Sequence, residues 1–135
     1  MDWYECWQRD FVKRVDPDPV MAAQLHAHVE EKLVLAAQAA PETRHARFTL
    51  LYDALRMLLE ILVTNRGYKI YNHECFSAFL SAVVADEELA RRFDAYRKVR
   101  NGINYYGKTL TEERITRLNT EIFSTIEEVR RLLRA

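Results

Sequence analysis

Glycine and proline are scarce in this sequence, at three residues each among 135. So few turn formers exclude a turn-rich all-β fold and leave helices as the main option. Cysteine occurs only at Cys6 and Cys75, with no spacing pattern. The pair therefore reads as two ordinary thiols of a reducing compartment, not as a disulfide framework. No apolar run approaches the roughly 18 residues of a membrane span, and the start of the chain (Asp2, Glu5, Arg9, Asp10) lacks a signal-peptide core. Net charge is missing as well, because 20 basic and 20 acidic side chains cancel. That balance argues against non-specific coating of nucleic acid and permits a local basic patch. The expectation is a cytoplasmic protein with no membrane segment.

Leucine, alanine, arginine and glutamate are abundant, and charged residues make up 30% of the chain. A chain of this length forms one domain and buries roughly two-thirds of its unfolded surface. Trp3, Trp7 and Phe11, at i, i+4 spacing, predict a short amphipathic helix over 2–15 that lies on the domain as an aromatic lid. Asp16-Pro-Asp-Pro19 is a boundary, so residues 1–17 form an appendage of a single domain spanning 1–135. Asp18 as N-cap and Pro19 at the first helical position open an alanine-rich helix to about Ala39.

Pro41 and Thr43 start a second long helix, which Gly67 ends after Asn65-Arg66. Its core face is Phe48, Leu51, Leu55, Leu59 and Leu62, with Asp53, Arg56 and Glu60 along one border. Asn72 caps a third helix, to Val84, and Asp86 caps the next. Thr109-Leu-Thr-Glu112 reads as a capping box for a last helix with Ile115, Leu118, Ile122, Ile126, Val129 and Leu133 inward. The resulting fold class is all-α, an antiparallel up-and-down bundle of four main helices plus short additional ones.

Within that pattern one stretch looks chemical, Tyr96 to Lys108. Leu89, Phe93, Tyr96, Val99, Ile103 and Tyr106 share an apolar arc, yet Arg100 falls inside it and Asn104 sits at its edge. A guanidinium on a buried side needs a partner or a ligand, since an unpaired charge there is costly. Asp53 and Glu60 are the acids placed to support it. Its planar fork also matches phosphate oxygens in two contacts. Arg97, Asn101, Tyr105 and Lys108 complete the candidate phosphate- or nucleic-acid-binding set. The helix is expected to run to Gly107, leaving Gly102 inside it at about 1 kcal/mol relative to alanine, a cost that close approach of another backbone would offset. His73, Glu74 and Cys75 are adjacent and point in different directions, so no metal site is expected. Gly-rich phosphate loops, nucleophile elbows and dinucleotide fingerprints are absent, and no cofactor is implied.

Leu51-Tyr-Asp-Ala-Leu-Arg-Met-Leu-Leu-Glu60, Arg66-Gly-Tyr-Lys69, Asn72-His-Glu-Cys and Arg97-Lys-Val-Arg-Asn-Gly-Ile-Asn-Tyr-Tyr-Gly107 together resemble HEPN-domain proteins. In particular they look like small stand-alone prokaryotic members, over about residues 18–134. The resemblance implies a helical bundle, commonly a homodimer, and an RNase or RNA-linked module of toxin–antitoxin or defence systems. It also implies a minimal nucleotidyltransferase as a possible protein partner. That family's catalytic signature is an arginine followed, after four to six residues, by a histidine. Arg100 and Asn101 match its opening, but Tyr105, Tyr106 and Gly107 stand where the histidine belongs, and no histidine follows His73.

Metal-independent RNA cleavage needs the 2′-hydroxyl deprotonated and the leaving oxygen protonated. An imidazole near 6.5 suits both tasks, whereas a phenol near 10 is a poor base at neutral pH. The expectation is therefore a degenerate site that binds RNA or nucleotide phosphate with little turnover. Two further readings stand beside it: a non-catalytic dimeric partner of a nucleotidyltransferase, and an RNase in which Arg100 acts with Tyr105 as the base.

Overall fold

In the computed structural model, which describes residues 1–134, short polar side chains set most helix starts. Asp2 accepts the Glu5 amide at 2.8 Å and opens α1 (Trp3–Gln8). Strand β1 (Val12–Arg14) follows, then α2 (Pro19–Gln38), where Asp18 accepts the Met21 amide at 3.0 Å beside Pro19. A single 3-10 turn over Pro41–Thr43 leads to α3 (Arg44–Asn65) and strand β2 (Tyr68–Ile70). Next come α4 (Glu74–Ala82), α5 (Glu87–Tyr106) with Asp86 as its cap, and α6 (Glu112–Arg134).

Four helices of 20 to 23 residues make the bundle expected from the sequence. Successive long helices alternate in direction, while α3 and α6, whose first turns meet through Arg44 and Glu112, run parallel. Lys32 pairs with Asp53 across α2 and α3, while Phe48 meets Tyr96 and Tyr52 meets Phe93 across α3 and α5. Arg92 reaches Glu128, and Tyr96 reaches Thr125, across α5 and α6. Helix α3 lies at the centre, and Phe48, Leu51, Leu55, Leu59 and Leu62 are all buried. Phe76, Phe79, Leu89, Phe93, Ile115, Ile122, Ile126 and Val129 close around it. Losing one of these aromatic rings to alanine costs about 3–5 kcal/mol. No helix among the described residues is long and apolar enough to cross a membrane.

The N-terminal segment differs from the expected helix over 2–15. Helix α1 stops at Gln8 because Asp10 takes a left-handed conformation (φ 59) and the Phe11 amide turns back to the Cys6 carbonyl at 2.9 Å. Aspartate is one of the few non-glycine residues that tolerates this geometry. The chain then pairs as an antiparallel ribbon, Val12 opposite Ile70 and Arg14 opposite Tyr68. The aromatic lid itself is present: Trp3 packs edge-on against Tyr68 at 5.4 Å and at a tilt against Phe79 at 5.8 Å.

Two starts shift as well. Asn72 accepts the Glu74 amide at 3.0 Å, so its cap acts two residues before the helical span begins. Helix α6 is capped by Thr111, which accepts the Arg114 amide at 3.2 Å, not by Thr109. The Leu110 amide donates to the His45 imidazole of α3 at 3.0 Å, holding this segment extended past the expected capping box. Arg47 covers the end of α2 by donating to the carbonyls of Ala36 and Ala39 at 2.9 and 2.7 Å.

The cysteines overturn the free-thiol expectation, because Cys6 and Cys75 form a disulfide across 69 residues of sequence. Packing of α1 on α4 brings their Cα atoms to 6.1 Å, a proximity that two cysteines without a spacing motif do not announce. Such bonds persist in oxidising surroundings and are reduced by cytosolic thiols. The thiol argument for a cytoplasmic location therefore falls away. Replacing both cysteines by serine is expected to lower the unfolding free energy by about 2–4 kcal/mol. Urea denaturation without reductant measures this, and reductant should bring the wild type to the same value.

Candidate functional site

Helix α5 runs to Tyr106, and Gly107 ends it in the left-handed conformation (φ 61), as its sequence pattern predicts. The Lys108 amide closes the turn on the Gly102 carbonyl at 3.0 Å. A Cβ on Gly102 would meet the Lys108 stem at 3.3 Å, so the missing side chain makes room for this lysine, not for a neighbouring backbone. Gly102 therefore gives no support to a dimer contact. The apolar arc also ends early: Leu89, Phe93 and Tyr96 are buried, Val99 and Ile103 are half-buried, and Tyr106 is 76% exposed.

Arg100 sits where this arc leaves the core. Its guanidinium carbon lies 5.6 Å from the Tyr52 ring centre on α3 and 5.7 Å from that of Tyr105. Its Nη1 donates to the Tyr105 hydroxyl at 3.3 Å, and Nη2 lies 4.0 Å from Asp53 Oδ1. The Nε group is buried and has no partner among the described residues. The side chain as a whole is 22% exposed. It is thus neither in bulk water nor sealed in an ion pair. Asp53 also faces Lys32 at 3.8 Å, so its charge is shared.

Of the other expected site residues, Arg97 is turned toward its own helix, donating to Asp94 at 2.9 and 3.2 Å. Burial tends to raise the Asp94 pKa, but hydrogen bonds from Arg97 and Lys98 hold it below the usual carboxylate value. Asn101 is half-buried, whereas Asn104, Tyr105 and Lys108 are exposed, Tyr105 at 69%. Glu60 supports a different cation, Lys69, at 2.5 Å. Asp53 is therefore the acid beside Arg100. Cys75 is consumed by the disulfide, and no three His, Cys, Asp or Glu side chains converge among the described residues.

A reading of the sequence alone gives no role beside Arg100 to Tyr52, Arg56 or His73, although it puts Arg56 on the same helix border as Asp53 and Glu60. The Tyr52 ring stacks on Phe93 at 5.7 Å, and its buried hydroxyl has no partner. Burial pushes its pKa up to about 12, against the pull of Arg100, Arg56 and Arg97. His73 precedes α4, with its ring 5.8 Å from that of Phe76. Desolvation first, and then the positive charges of Arg56, Arg100 and Arg97, hold its pKa below 6.5, while Glu60 acts the other way. The same three arginines thus act on Tyr52 and on His73, so the boundary of α3, α5 and the start of α4 is locally basic. Tyr52 and Arg56 are one helical turn apart, the single sequence signal that could have linked them.

The larger depressions lie elsewhere. One of about 340 Å³ lies between α2, α3 and α6, lined by Leu33, Arg47, Leu51 and Phe123. Another of about 740 Å³ runs between α1, α4 and α5, past Trp3, Glu74 and Asp94. Arg100 lines neither of these depressions. Compared with protein-family models, curated proteins and solved structures, the chain matches none.

The His73 environment carries a pH signature. Its unfolded form takes up a proton near 6.5, and its folded form does so only at lower pH. Stability is therefore full above pH 6.5 and falls as pH drops through that value toward the native pKa. His73→Gln should flatten this part of the profile, as read by urea midpoints between pH 7.5 and pH 5. An unchanged slope would show that other groups cause it.

Proposed function

We propose that the protein binds RNA or a nucleotide through phosphate at Arg100, with little or no turnover. The observation that carries this reading is the incomplete pairing of Arg100. Its carboxylate partner stands at 4.0 Å and is shared with Lys32, and its guanidinium rests on two tyrosine rings. An arginine used only to lock the bundle would be expected to close on Asp53. Held open in this way, the planar fork is free to take two phosphate oxygens. Exposed Tyr105 and Tyr106 supply rings on which unpaired bases can stack.

The Arg100-Asn101 pair without its histidine fits a HEPN-like module whose cleavage motif has degenerated. A toxin–antitoxin or defence setting, a homodimer and a nucleotidyltransferase partner belong to the same reading. The alternative of a non-catalytic interaction protein is less favoured, since it predicts a sealed Arg100 pair. Tyr105 as a catalytic base is also less favoured, since a phenol is mostly protonated at neutral pH and makes a poor base there.

Arg100→Ala should weaken binding of a short single-stranded RNA by about tenfold or more, from the typical worth of a charged hydrogen bond. Tyr105→Ala should weaken it by about 1–3 kcal/mol if a base stacks there. Fluorescence anisotropy at one fixed low salt concentration reads both effects. Equal affinity of a folded Arg100→Ala variant and the wild type would overturn the proposal.

A further inference from the structure

We propose that the cleft between α2, α3 and α6 binds a compact monocarboxylic acid that has an apolar body and one O–H or N–H donor. This cleft is separate from Arg100, which does not line it, and its occupancy does not depend on the phosphate reading.

Space and lining set the size and character of the guest. At about 340 Å³ the cleft falls at the small end of ligand sites, which span roughly 300–1,000 Å³. Ala36 and Leu51 line it from the core, and Leu33 and the exposed ring of Phe123 continue the apolar surface toward solvent. A small hydrocarbon or aromatic group matches these walls.

Charge sets the sign. Arg44 and Arg47 line the cleft, and no aspartate or glutamate does so among the described residues. Arg44 already pairs with Glu112 at 3.1 Å, whereas Arg47 has no carboxylate within ion-pair distance among the described residues. Its Nε and Nη2 donate to the carbonyls of Ala36 and Ala39 at 2.9 and 2.7 Å, which fixes the guanidinium plane. Those bonds occupy one edge of the fork and leave its charge in place. Nη1 and the second N–H of Nη2 still lack an acceptor, and a carboxylate takes such a pair of N–H groups in two contacts. A phosphate monoester would bring close to two charges to this one uncompensated cation. The single charge is the better match.

Asn119 adds the donor. It lines the cleft, is only 7% exposed, and its buried Oδ1 has no partner. The amide cannot turn over to cure this, because its Nδ2 donates to the Arg44 carbonyl at 3.1 Å. A turned amide would set two acceptors against each other. An unmet buried acceptor is costly, and an O–H or N–H brought in by the guest relieves that cost.

Isothermal titration calorimetry compares three probes of nearly one shape: indole-3-acetate, naphthalene-1-acetate without the N–H, and indole-3-acetamide without the charge. Indole-3-acetate should bind tightest, the acetamide about 10- to 100-fold more weakly and the naphthalene acid about threefold to tenfold more weakly. Ala37 lines the cleft from an exposed position, so Ala37→Trp should fill it without disturbing the core and abolish binding of all three. Arg47→Gln should erase the preference for acid over amide. Because Arg47 also holds the end of α2, Ala37→Trp decides the matter if that variant fails to fold. Equal affinity for indole-3-acetate and its amide would overturn the carboxylate, and equal affinity for the two acids would overturn the donor to Asn119. No saturable binding at millimolar probe, or binding that survives Ala37→Trp, would overturn the site itself. Wild-type self-association that Ala37→Trp abolishes, with no probe bound, would show that a second copy covers the cleft instead.

Discussion

The stacked contact of Tyr52 on Phe93 fixes α3 against α5, and the polar geometry beside them depends on that contact. The rings lie 16° from parallel, 5.7 Å apart, inside a core where both side chains are buried. The Tyr52 ring held in this way also lies 5.6 Å from the Arg100 guanidinium carbon. A cation over an aromatic face is favoured by the ring quadrupole and keeps its hydrogen-bond donors free. The protein thereby places a charge at the edge of its core without closing it into an ion pair.

Electrostatically this arrangement is unsymmetrical. Asp53 is shared by Arg100 and Lys32, Asp94 by Arg97 and Lys98, and Glu60 is held by Lys69. The chain as a whole is neutral. Charge compensation is therefore complete over the chain, while Arg100 is compensated only loosely where it stands, by a shared carboxylate 4.0 Å away.

Much of the fold was legible because helical signals are local. Asp18-Pro19, Asp86, Gly67 and Gly107 act where the sequence places them, and the inward positions of α3 and α6 follow their periodicity. What stayed hidden depends on partners distant in sequence. The ribbon needs Val12 opposite Ile70, the disulfide needs α1 on α4, and the late start of α6 needs His45 of α3. For the site, Arg100 and Asp53 were visible as a charge on an apolar arc and an acid on a facing border. Read from sequence, Tyr52 has no place on the core face, and His73 sits in the third helix only as one of three adjacent residues pointing apart, since neither shares a helix with Arg100.

The Cys6–Cys75 bond also divides the chain topologically. It closes a covalent ring that holds both strands, α2 and α3, while α5 and α6 lie outside as a tail. Of the two helices that meet at Arg100, α3 belongs to the ring and α5 to the tail, so only packing, hydrogen bonds and ion pairs hold Tyr52 and Asp53 against Arg100.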